Sequence, residues 1–461
     1  MRKEEVKRRE VDVVIAGSGM GGLTAALTAQ EAGAQVTVLE KAPRIGGSAA
    51  VSGGTVWCAE DLEAWLSVQP GGDPTLGKAL IDNFFEGIDW LGCQGVVLQE
   101  ERNLPLFKFA RRVYQLIPDA RTSIDHLAAK VTEQGGTILT GTSLRELRQD
   151  AHGRVNGMLA LGPKGFLDIS TSVVVLATGG FQGSSEMRAR YFGRWADRVI
   201  VRSNPYSTGD GFKAALCLGA ASAGPFSRFY GHMVPAPPAE TGLHNFVYVK
   251  PDFSEYAIFV NLNGERFDDE FLGDEVTVHA AIHQPEGFVI LIFDEAIRRE
   301  RTTPWPEAGP HADRIENIRR AGGEVLEEMA LETLANAMAS CWNVRRDRVL
   351  ETVEAYNVAC ASGDISSLPV PKSGGLDAIT RPPFYAIRML PGATFTYGGV
   401  RVNASAEILD SAGVSIAGLY AAGADAGGIY TRGYTGGLAL GLAYGRIAGK
   451  EAALGQLTAG E

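Results

Sequence analysis

The sequence predicts an α/β fold in which a helix-flanked parallel sheet is interrupted by an inserted α+β domain. Two observations predict the sheet. Residues 11–40 read strand, glycine-rich turn, helix, strand, and two later apolar strands also end in glycine. The insertion is predicted by residues 242–382, which lack the repeated pattern of strands ending in glycine and contain more charged residues and proline. Since 461 residues suffice for two or three domains, we expect a Rossmann-like domain over 1–241 and 383–461, with an inserted cap domain over 242–382.

The first strand–turn–helix–strand unit has the spacing of a dinucleotide site. Its turn fits the pattern G-x-G-x-x-G, formed here with Gly17, Gly19, Met20 and Gly22. The first glycine permits a tight turn, the second lets the backbone approach a pyrophosphate, and the third lets the helix pack closely on the strand. Free N–H groups at the helix start then face the phosphates. Glu40, which ends the second strand, is placed to accept both ribose hydroxyls.

A second glycine-rich loop, residues 41–54, follows this acid directly. A nicotinamide-binding chain would normally continue into another crossover helix, whereas an extended loop suits a longer ligand with a ribityl chain and a flavin ring. The loop therefore predicts FAD, with contacts from Lys41, Gly47, Ser48, Ser52, Gly53 and Gly54. The alternative is a glycine-rich surface loop.

These motifs resemble the flavoprotein family of fumarate reductase and succinate dehydrogenase, whose superfamily includes the 3-ketosteroid dehydrogenases. The resemblance implies a glutathione-reductase-type FAD-binding domain and continues into later strand ends. It adds cofactor contacts from Ala177, Thr178, Gly179, Asp210, Gly423 and Asp425, the last toward a ribityl hydroxyl. It also places the start of the last helix, Gly437, Leu438 and Ala439, at the pyrimidine end of the flavin.

In the inserted block, the segment FDEAIR resembles the family segment that holds a catalytic arginine, which implies Arg298 as proton donor. The family's proton relay has a second arginine shortly after the position of Glu270. Here the corresponding stretch, residues 271–274, contains none. Arg298 could therefore instead form a salt bridge on the cap. Helical spacing further predicts helices over 326–334 and 344–361.

Three departures from the family change the expected chemistry. At the position where succinate dehydrogenases carry the histidine that bonds FAD covalently, this chain has Gly47, so we expect FAD bound without a covalent link. The histidine and arginine that hold substrate carboxylates in fumarate reductases correspond to Phe395 and Tyr434. A phenol does not reproduce the two-pronged binding of a guanidinium to a carboxylate, so a small dicarboxylate is not the expected substrate.

The segment around Tyr434 is more similar to the ketosteroid dehydrogenases, in which a tyrosine and a backbone N–H hold the substrate ketone. The resemblance implies that Tyr434 donates to a carbonyl and acidifies the adjacent C–H. The alternative is a tyrosine packed in the core with its hydroxyl on the backbone. The remaining residues expected to contact substrate are Phe395, Tyr397, Tyr430 and Gly436.

The sequence thus predicts an FAD-dependent oxidoreductase acting on a CH–CH or C=C bond beside a carbonyl in a mostly apolar, cyclic or steroid-like small molecule. Two alternatives remain: a fumarate-reductase-like enzyme for an unusual unsaturated acid, with Arg298 as acid, and a flavin electron-transfer subunit. A separate electron acceptor or donor is expected. The net charge of −11 argues against nucleic acid as a partner. Five scattered cysteines, strand-length apolar runs and the absence of metal-binding spacings predict a cytoplasmic protein without membrane insertion or metal.

Overall fold

A computed structural model describes residues 7–102, 110, 112–301 and 313–457. The chain packs into two compact units. Unit 1 comprises Met1–Met187, Ser203–Phe229 and Phe395–Glu461, and unit 2 comprises Arg188–Arg202 and Tyr230–Thr394. The domain limits expected from the sequence, at residues 242 and 382, stay predictions.

Helices and strands are interspersed along the described residues. The helices are α1 (Met20–Glu31), α2 (Leu62–Val68), α3 (Pro74–Cys93), α4 (Ala120–Glu133), α5 (Ser185–Tyr191), α6 (Asp210–Cys217), α7 (Asp274–Ala281), α8 (Glu295–Glu300), α9 (Arg314–Arg320), α10 (Leu331–Trp342), α11 (Arg346–Ser362) and α12 (Gly437–Leu457). The strands are β1 (Lys7–Glu10), β2 (Val13–Ala16), β3 (Val36–Leu39), β4 (Thr55–Trp57), β5 (Val97–Arg102), β6 (Arg112–Ile117), β7 (Thr137–Leu139), β8 (Ser143–Gln149), β9 (Val155–Gly162), β10 (Gly165–Ser170), β11 (Val173–Leu176), β12 (Ile200–Val201), β13 (Ser222–Ala223), β14 (Phe229–Pro235), β15 (Ile258–Asn261), β16 (Val289–Asp294), β17 (Val325–Glu328), β18 (Phe384–Thr396), β19 (Gly399–Arg401), β20 (Glu407–Leu409), β21 (Ser415–Ala421) and β22 (Ala426–Gly427). No helix in these ranges is both long and apolar enough to cross a membrane.

Unit 1 is built on a six-stranded sheet with the order β20-β21-β11-β2-β3-β7. All neighbours are parallel except β20 and β21. Every residue of β2, β3 and β11 is buried, as expected for parallel strands covered on both faces. The carboxyl ends of β2 and β11 lie side by side, since Ala16 pairs with Leu176. The turns that follow these strands are therefore brought together at one edge of the sheet.

Helices α1 and α12 approach each other closely because α12 has glycine at every fourth position. This glycine stripe consists of Gly437, Gly441, Gly445 and Gly449. A Cβ added at Gly445 would lie 2.6 Å from the Gly21 carbonyl oxygen, and one at Gly449 would lie 2.5 Å from the Ala25 carbonyl oxygen. Only glycine at these positions lets the two backbones touch, as small residues do wherever helices pack at short range.

The rest of unit 1 contains three smaller sheets, with the orders β1-β10-β9-β8, β13-β19-β22 and β4-β6-β5. Unit 2 is an α+β unit. Its sheet has the order β12-β18-β16-β15, with β14 and β17 also paired to β18. Its central strand β16 is buried along its whole length.

The structure corrects two expected elements. The first helix begins at Met20, inside the glycine pattern that the sequence predicts as a turn. The helix expected over 326–334 is wrong in its first half, because residues 325–328 form β17 and pair with β18, and the helix α10 begins only at Leu331. The apolar spacing there is satisfied by sheet pairing, which a count of helical periods does not detect.

Candidate functional site

The turn after β2 and the start of α1 contain three glycines of the motif. A Cβ at Gly17 or Gly22 would clash with the protein's own backbone, whereas Gly19 has room for one. Gly17 has φ +115°, and a Cβ there would lie 1.9 Å from the Ala177 carbonyl oxygen. A Cβ on Gly22 would lie 1.9 Å from the Gly17 carbonyl oxygen. By contrast, the atom nearest to a Cβ on Gly19 is the Gly46 carbonyl oxygen, at 3.9 Å. Gly19 is therefore not required for packing within the described chain, which fits a close approach by a ligand.

The start of α1 is suited to bind an anion. Its N-cap residue, Gly19, makes no side-chain cap hydrogen bond, and no acidic residue lies in the first turn, which starts at Met20. The first N–H groups of a helix have no partner within the helix and carry the positive end of its dipole. A pyrophosphate would supply the missing acceptors.

Glu40 is held rigidly at the end of β3. Its Oε2 accepts from the Ser18 hydroxyl at 2.5 Å and from the Ser18 N–H at 3.2 Å, and its Oε1 accepts from the Ala42 N–H at 2.7 Å. The side chain is buried, with 4% exposure. These bonds fix the carboxylate beside the first glycine turn. Ser18 was not predicted from the sequence, because a serine at a variable position of the motif carries no signal.

The two glycine-rich loops meet. A Cβ on Gly47 would lie 3.6 Å from the Gly19 Cα, and the Gly46 N–H donates to the Ser18 hydroxyl at 2.9 Å. The remaining predicted loop residues make local bonds: the Ser48 hydroxyl accepts from the Asn204 N–H, the Ser52 hydroxyl donates to the Ala49 carbonyl and accepts from the Gly54 N–H, and the Gly53 carbonyl accepts from Gln115. The second glycine-rich loop therefore lies beside Gly19. We call the surface formed by Gly19 and this loop the glycine edge.

Four predicted cofactor residues gather in one network of charges and hydroxyls. The Lys41 ammonium donates to Asp210 at 2.8 Å and to the Thr208 hydroxyl at 2.5 Å. The Thr178 hydroxyl and N–H donate to Asp425, and the Thr178 hydroxyl accepts from the Gly211 N–H. The neighbouring Ala177 and Gly179 lie in the turn after β11, and Gly423 has φ +64° with open space where a Cβ would stand.

The pKa values of the two carboxyl groups in this network are shifted in opposite directions. Burial opposes the ionisation of Asp210, but bonds from Lys41 and Thr208 outweigh it and lower its pKa. Burial raises the pKa of Asp425 to about 7, despite bonds from Thr178. A carboxyl group with a raised pKa is more readily protonated, and once protonated it is able to donate as well as accept a hydrogen bond. A group with both capacities suits a sugar-alcohol hydroxyl.

A second feature of unit 1 is an aromatic cluster of Trp57, Phe395, Tyr397, Tyr430 and Tyr434. The Tyr434 ring centroid lies 5.5 Å from that of Trp57, 6.1 Å from that of Phe395 and 6.3 Å from that of Tyr430. Tyr397 lies 5.9 Å from Phe395. Tyr434 and Phe395 are half-buried, whereas Tyr397 and Tyr430 are buried. The structure thus brings all four predicted aromatic residues together.

The backbone beside this cluster is tightly constrained. Gly436 has φ +104°, and a Cβ there would lie 1.8 Å from the Trp57 carbonyl oxygen. The Tyr430 hydroxyl donates to the Gly436 carbonyl at 2.7 Å, and burial raises the pKa of Tyr430 well above its ordinary value. The hydroxyl of Tyr430 therefore binds and stabilises the backbone of this turn.

The Tyr434 hydroxyl lies at the first residue of α12. It accepts from the Gly437 N–H at 2.8 Å, and Leu438 and Ala439 follow as buried residues of the first turn. In this bond the phenol oxygen of Tyr434 acts as the acceptor. The hydroxyl thus bonds to the backbone at the start of α12, and the catalytic role of Tyr434 stays a prediction.

Arg298 lies in unit 2, where it forms ion pairs with Asp313 and with Glu295, the latter at 3.1 Å. Its guanidinium carbon also lies 5.5 Å from the centre of the Tyr385 ring. Burial disfavours the charge, but the bonds to Asp313 and Glu295 outweigh burial and raise the pKa of Arg298 above its ordinary value. The structure therefore shows the salt-bridging arrangement that the sequence left open.

Unit 2 also contains a polar triad, formed by Tyr230, His232 and Asp274, that sequence reasoning missed. The Nδ1 of His232 lies 2.8 Å from the Asp274 Oδ1, and its Nε2 lies 2.9 Å from the Tyr230 hydroxyl. The spacing of Tyr230 and His232 on β14 places both on one face of the strand. Nothing in the sequence connects them with Asp274, 42 residues after His232.

Comparison with known proteins identifies the class. The fold and the glycine edge agree with the FAD-binding domain that the sequence predicts. A family model described as "FAD binding domain" matches residues 12–438, and the chain belongs to this family.

Three relatives show the range of the family. NADH:acrylate oxidoreductase of Vibrio harveyi is 28% identical over 96% of this chain, which spans only 50% of that protein. Vinyl phenol reductase of Lactiplantibacillus plantarum is 25% identical, with 92% of this chain and 91% of the relative covered. The 3-oxosteroid 1-dehydrogenase of Mycolicibacterium smegmatis is 26% identical, with 90% and 92% covered.

Among solved structures, the open conformation of a flavocytochrome c3 fumarate reductase is similar. Its TM-score is 0.73 at 26% identity, with 97% of this chain and 79% of that chain covered. The resemblance to both fumarate reductases and ketosteroid dehydrogenases is thereby confirmed.

Proposed function

We propose that this chain interconverts a CH–CH and a C=C bond beside a carbonyl group, in a mostly apolar, cyclic or steroid-like ketone. The observation that carries the proposal is the Tyr434 hydroxyl, which is held by the Gly437 N–H at the start of α12 within a cluster of aromatic rings. The names of the relatives support the bond type, since acrylate and vinyl phenol carry C=C bonds and the 3-oxosteroid enzyme is a dehydrogenase.

FAD bound along the glycine edge would accept or donate the hydride of this reaction. Gly19, Gly47 and the start of α1 would hold its pyrophosphate, Glu40 its ribose, and Asp425 its ribityl chain. The phosphate contacts would come from backbone groups, so that no bulky side chain separates ligand and chain.

Tyr434 would polarise the substrate. Its O–H donates to the carbonyl oxygen, which gains negative charge as the adjacent C–H loses its proton or as hydride adds to the C=C bond. The Gly437 N–H, by donating to the phenol oxygen, strengthens the phenol as a donor, because hydrogen bonds in a chain polarise one another. Trp57 and Phe395 exclude water and offer apolar surface to the substrate.

The two alternative functions have less support. An unsaturated acid protonated by Arg298 would require that guanidinium to leave Asp313 and Glu295. An electron-transfer subunit would have no use for a hydroxyl placed among aromatic rings. We expect the electrons to be exchanged with a separate donor or acceptor in either direction of the reaction.

The proposal is tested by photoreducing the purified flavoprotein without oxygen and then adding five probes: cyclohex-2-enone, 4-androstene-3,17-dione, 4-vinylphenol, acrylate and fumarate. We expect at least one of the two enones to reoxidise the flavin, and fumarate to leave it reduced, because the five residues of the aromatic cluster offer no guanidinium to a second carboxylate. The readout is the flavin absorbance in a stopped-flow spectrometer. Reoxidation by fumarate faster than by either enone would overturn the proposed substrate class.

We also propose that FAD is held without a covalent bond, since Gly47 stands where covalent members of the family have histidine. Acid or heat precipitation of the yellow protein should release all flavin into the supernatant as intact FAD, as measured by its absorbance and chromatography. Flavin that stays on the precipitate after washing would show a covalent attachment elsewhere in the chain.

A further inference from the structure

The loop that carries Tyr434, residues 428–436, is bound by a side chain from a distant part of unit 1. This loop joins β22 to α12. The stretch is rich in glycine, at positions 427, 428, 433, 436 and 437. Glycine gives a backbone more conformational freedom than any other residue, so a loop of this composition needs contacts from outside to keep one conformation. Gln69, which follows α2 directly, makes such contacts.

The side-chain amide of Gln69 bonds to three consecutive residues of the loop. Its Oε1 accepts from the Thr431 N–H at 2.7 Å and from the Arg432 N–H at 3.1 Å, and its Nε2 donates to the Gly433 carbonyl at 2.8 Å. Gln69 is fully buried, with 0% exposure, and a low local dielectric strengthens such hydrogen bonds. We call the arrangement of Gln69 on residues 431–433 the Gln69 clamp.

The end of α2 is a fixed support for this clamp. The Gln69 N–H donates to the Trp65 carbonyl at 2.8 Å. A Cβ on Gly77 would lie 2.6 Å from the Trp65 ring, so α2 packs tightly against α3. The Gly433 N–H also donates to the Val68 carbonyl at 3.1 Å. The loop is therefore bound to two consecutive residues at the end of a tightly packed helix.

Other bonds hold the two sides of the loop. The Arg228 Nη1 donates to the Thr431 carbonyl at 3.3 Å, and the Thr431 hydroxyl donates to the Pro70 carbonyl at 3.2 Å. On the other side, the Tyr430 hydroxyl donates to the Gly436 carbonyl. The residues directly before Tyr434 are held by Gln69, and the clamp is thus the part of this network nearest to the Tyr434 backbone.

The third bond of the clamp acts on Tyr434 through a peptide plane. The Gly433 carbonyl and the Tyr434 N–H belong to one planar peptide group, so a hydrogen bond to this carbonyl orients the backbone at Tyr434. At the far end of the side chain, the Tyr434 hydroxyl accepts from the Gly437 N–H at 2.8 Å. Tyr434 is therefore fixed at its backbone by Gln69 and at its hydroxyl by the start of α12.

The position of Gln69 requires an amide. Two N–H groups and one carbonyl face it, and a side-chain amide offers an acceptor oxygen with two lone pairs beside a donor nitrogen. Glutamate would keep the acceptor but turn a second carboxylate oxygen toward the Gly433 carbonyl oxygen. Leucine would remove all three bonds and leave buried polar groups to be satisfied otherwise. A side chain that only filled space would not need to match three polar groups.

We propose that Gln69 is a positioning residue of this enzyme, which aligns the Tyr434 hydroxyl with the substrate carbonyl through residues 431–433. The inference rests on the proposed function, in which Tyr434 donates to that carbonyl. A displacement of about 1 Å in a reacting group costs up to about a hundredfold in rate. Because the bond from Tyr434 strengthens as the carbonyl oxygen gains charge, the loss should appear in kcat rather than in KM alone.

The test measures reoxidation of the photoreduced holoenzyme by the faster of the two enones. Gln69→Leu should lower the rate at saturating enone by roughly ten- to a hundredfold, with the flavin spectrum and the Kd for FAD unchanged. In the Tyr434→Phe background, Gln69→Leu should change the rate by less than about threefold, because the hydroxyl that Gln69 positions is already absent. Gln69→Glu should show the same pattern, and it replaces Gln69→Leu in the comparison if that variant does not fold.

The matched control is Asn357→Leu in unit 2. Asn357 also binds a backbone with both halves of its amide, since it donates to the Ile379 carbonyl at 2.9 Å and accepts from the Ile379 N–H at 2.8 Å. Asn357→Leu and Gln69→Leu should both lower the melting temperature, because each removes hydrogen bonds to backbone groups. Asn357→Leu should leave the rate of reoxidation unchanged in both backgrounds.

The outcomes separate this inference from the proposed function. A wild type that neither enone reoxidises refutes the proposed function, a Tyr434→Phe variant as fast as wild type refutes the role of Tyr434, and the inference falls with either. A slow Tyr434→Phe variant together with Gln69→Leu at wild-type rate refutes only the role of Gln69. An equal loss from Gln69→Leu in both backgrounds, or a higher KM without a lower kcat, also refutes it and makes the clamp a purely structural element.

Discussion

Turnover of an enone by Tyr434→Phe should be lower than wild type by roughly ten- to a thousandfold, the range for losing one donor to a developing oxyanion. The flavin spectrum should not change, because the substitution keeps the ring within the aromatic cluster. The lost hydroxyl also leaves the Gly437 N–H without its acceptor, so a small decrease in melting temperature is expected. The measurement is single-turnover reoxidation of the photoreduced enzyme, with thermal unfolding as a parallel check.

Arg298→Lys is the informative comparison for Tyr434→Phe. If Arg298 serves only its ion pairs with Asp313 and Glu295, Lys at this position should change turnover little. If Arg298 is the proton donor, the pattern reverses, with a steep loss for Arg298→Lys and mainly a higher KM for Tyr434→Phe. Two variants at wild-type rate would remove both residues from the chemistry.

FAD binding should depend on Gly19 in a way that protein stability does not. In Gly19→Ala the new Cβ lies 3.9 Å from the nearest chain atom outside its own neighbours, so the apoprotein should unfold at the wild-type temperature. The same Cβ would fill the space that a pyrophosphate needs. Overpacking of this kind costs about 1–3 kcal/mol, so the Kd for FAD should rise roughly 5- to 150-fold, measured by quenching of flavin fluorescence.

Gly17→Ala and Gly92→Ala serve as controls for Gly19→Ala. Gly17→Ala should destabilise the apoprotein itself, since its Cβ would lie 1.9 Å from a carbonyl oxygen at positive φ. Gly92→Ala, within α3 and with open space around the new Cβ, should leave FAD affinity unchanged. An unchanged Kd in Gly19→Ala would place the pyrophosphate away from this turn.

Much of unit 1 could be predicted because its determinants are local. One of the two later apolar strands expected to end in glycine is β11, a run of four consecutive apolar residues. The meeting of Gly19 and Gly47 involves two short motifs separated in the chain by α1 and β3. Each of these signals depends on residues close in sequence, where periodicity and glycine spacing are informative.

The details of the sites depend on pairs of residues distant in sequence and were not predictable in this way. Thr178 and Asp425, 247 positions apart, become bonded only when β11 and β21 pair. The bond between His232 and Asp274 likewise requires two elements of unit 2 to pack. One residue is ambiguous even locally: Arg298 follows the family segment closely, yet its partner Asp313 lies 15 positions further on.

The glycine stripe of α12 determines which substitutions alter the proposed cofactor site. The start of α1, proposed to hold pyrophosphate, and the start of α12, proposed to meet the flavin ring, belong to two helices in backbone contact at Gly445 and Gly449. The separation between the two binding points is therefore set by main-chain atoms, which mutation does not alter. Substitutions in the aromatic cluster are therefore able to change which substrate binds without changing the distance between the two points proposed to bind FAD. A methyl group added at Gly441, Gly445 or Gly449, in contrast, would meet atoms of α1 and would change the separation of the two helix starts.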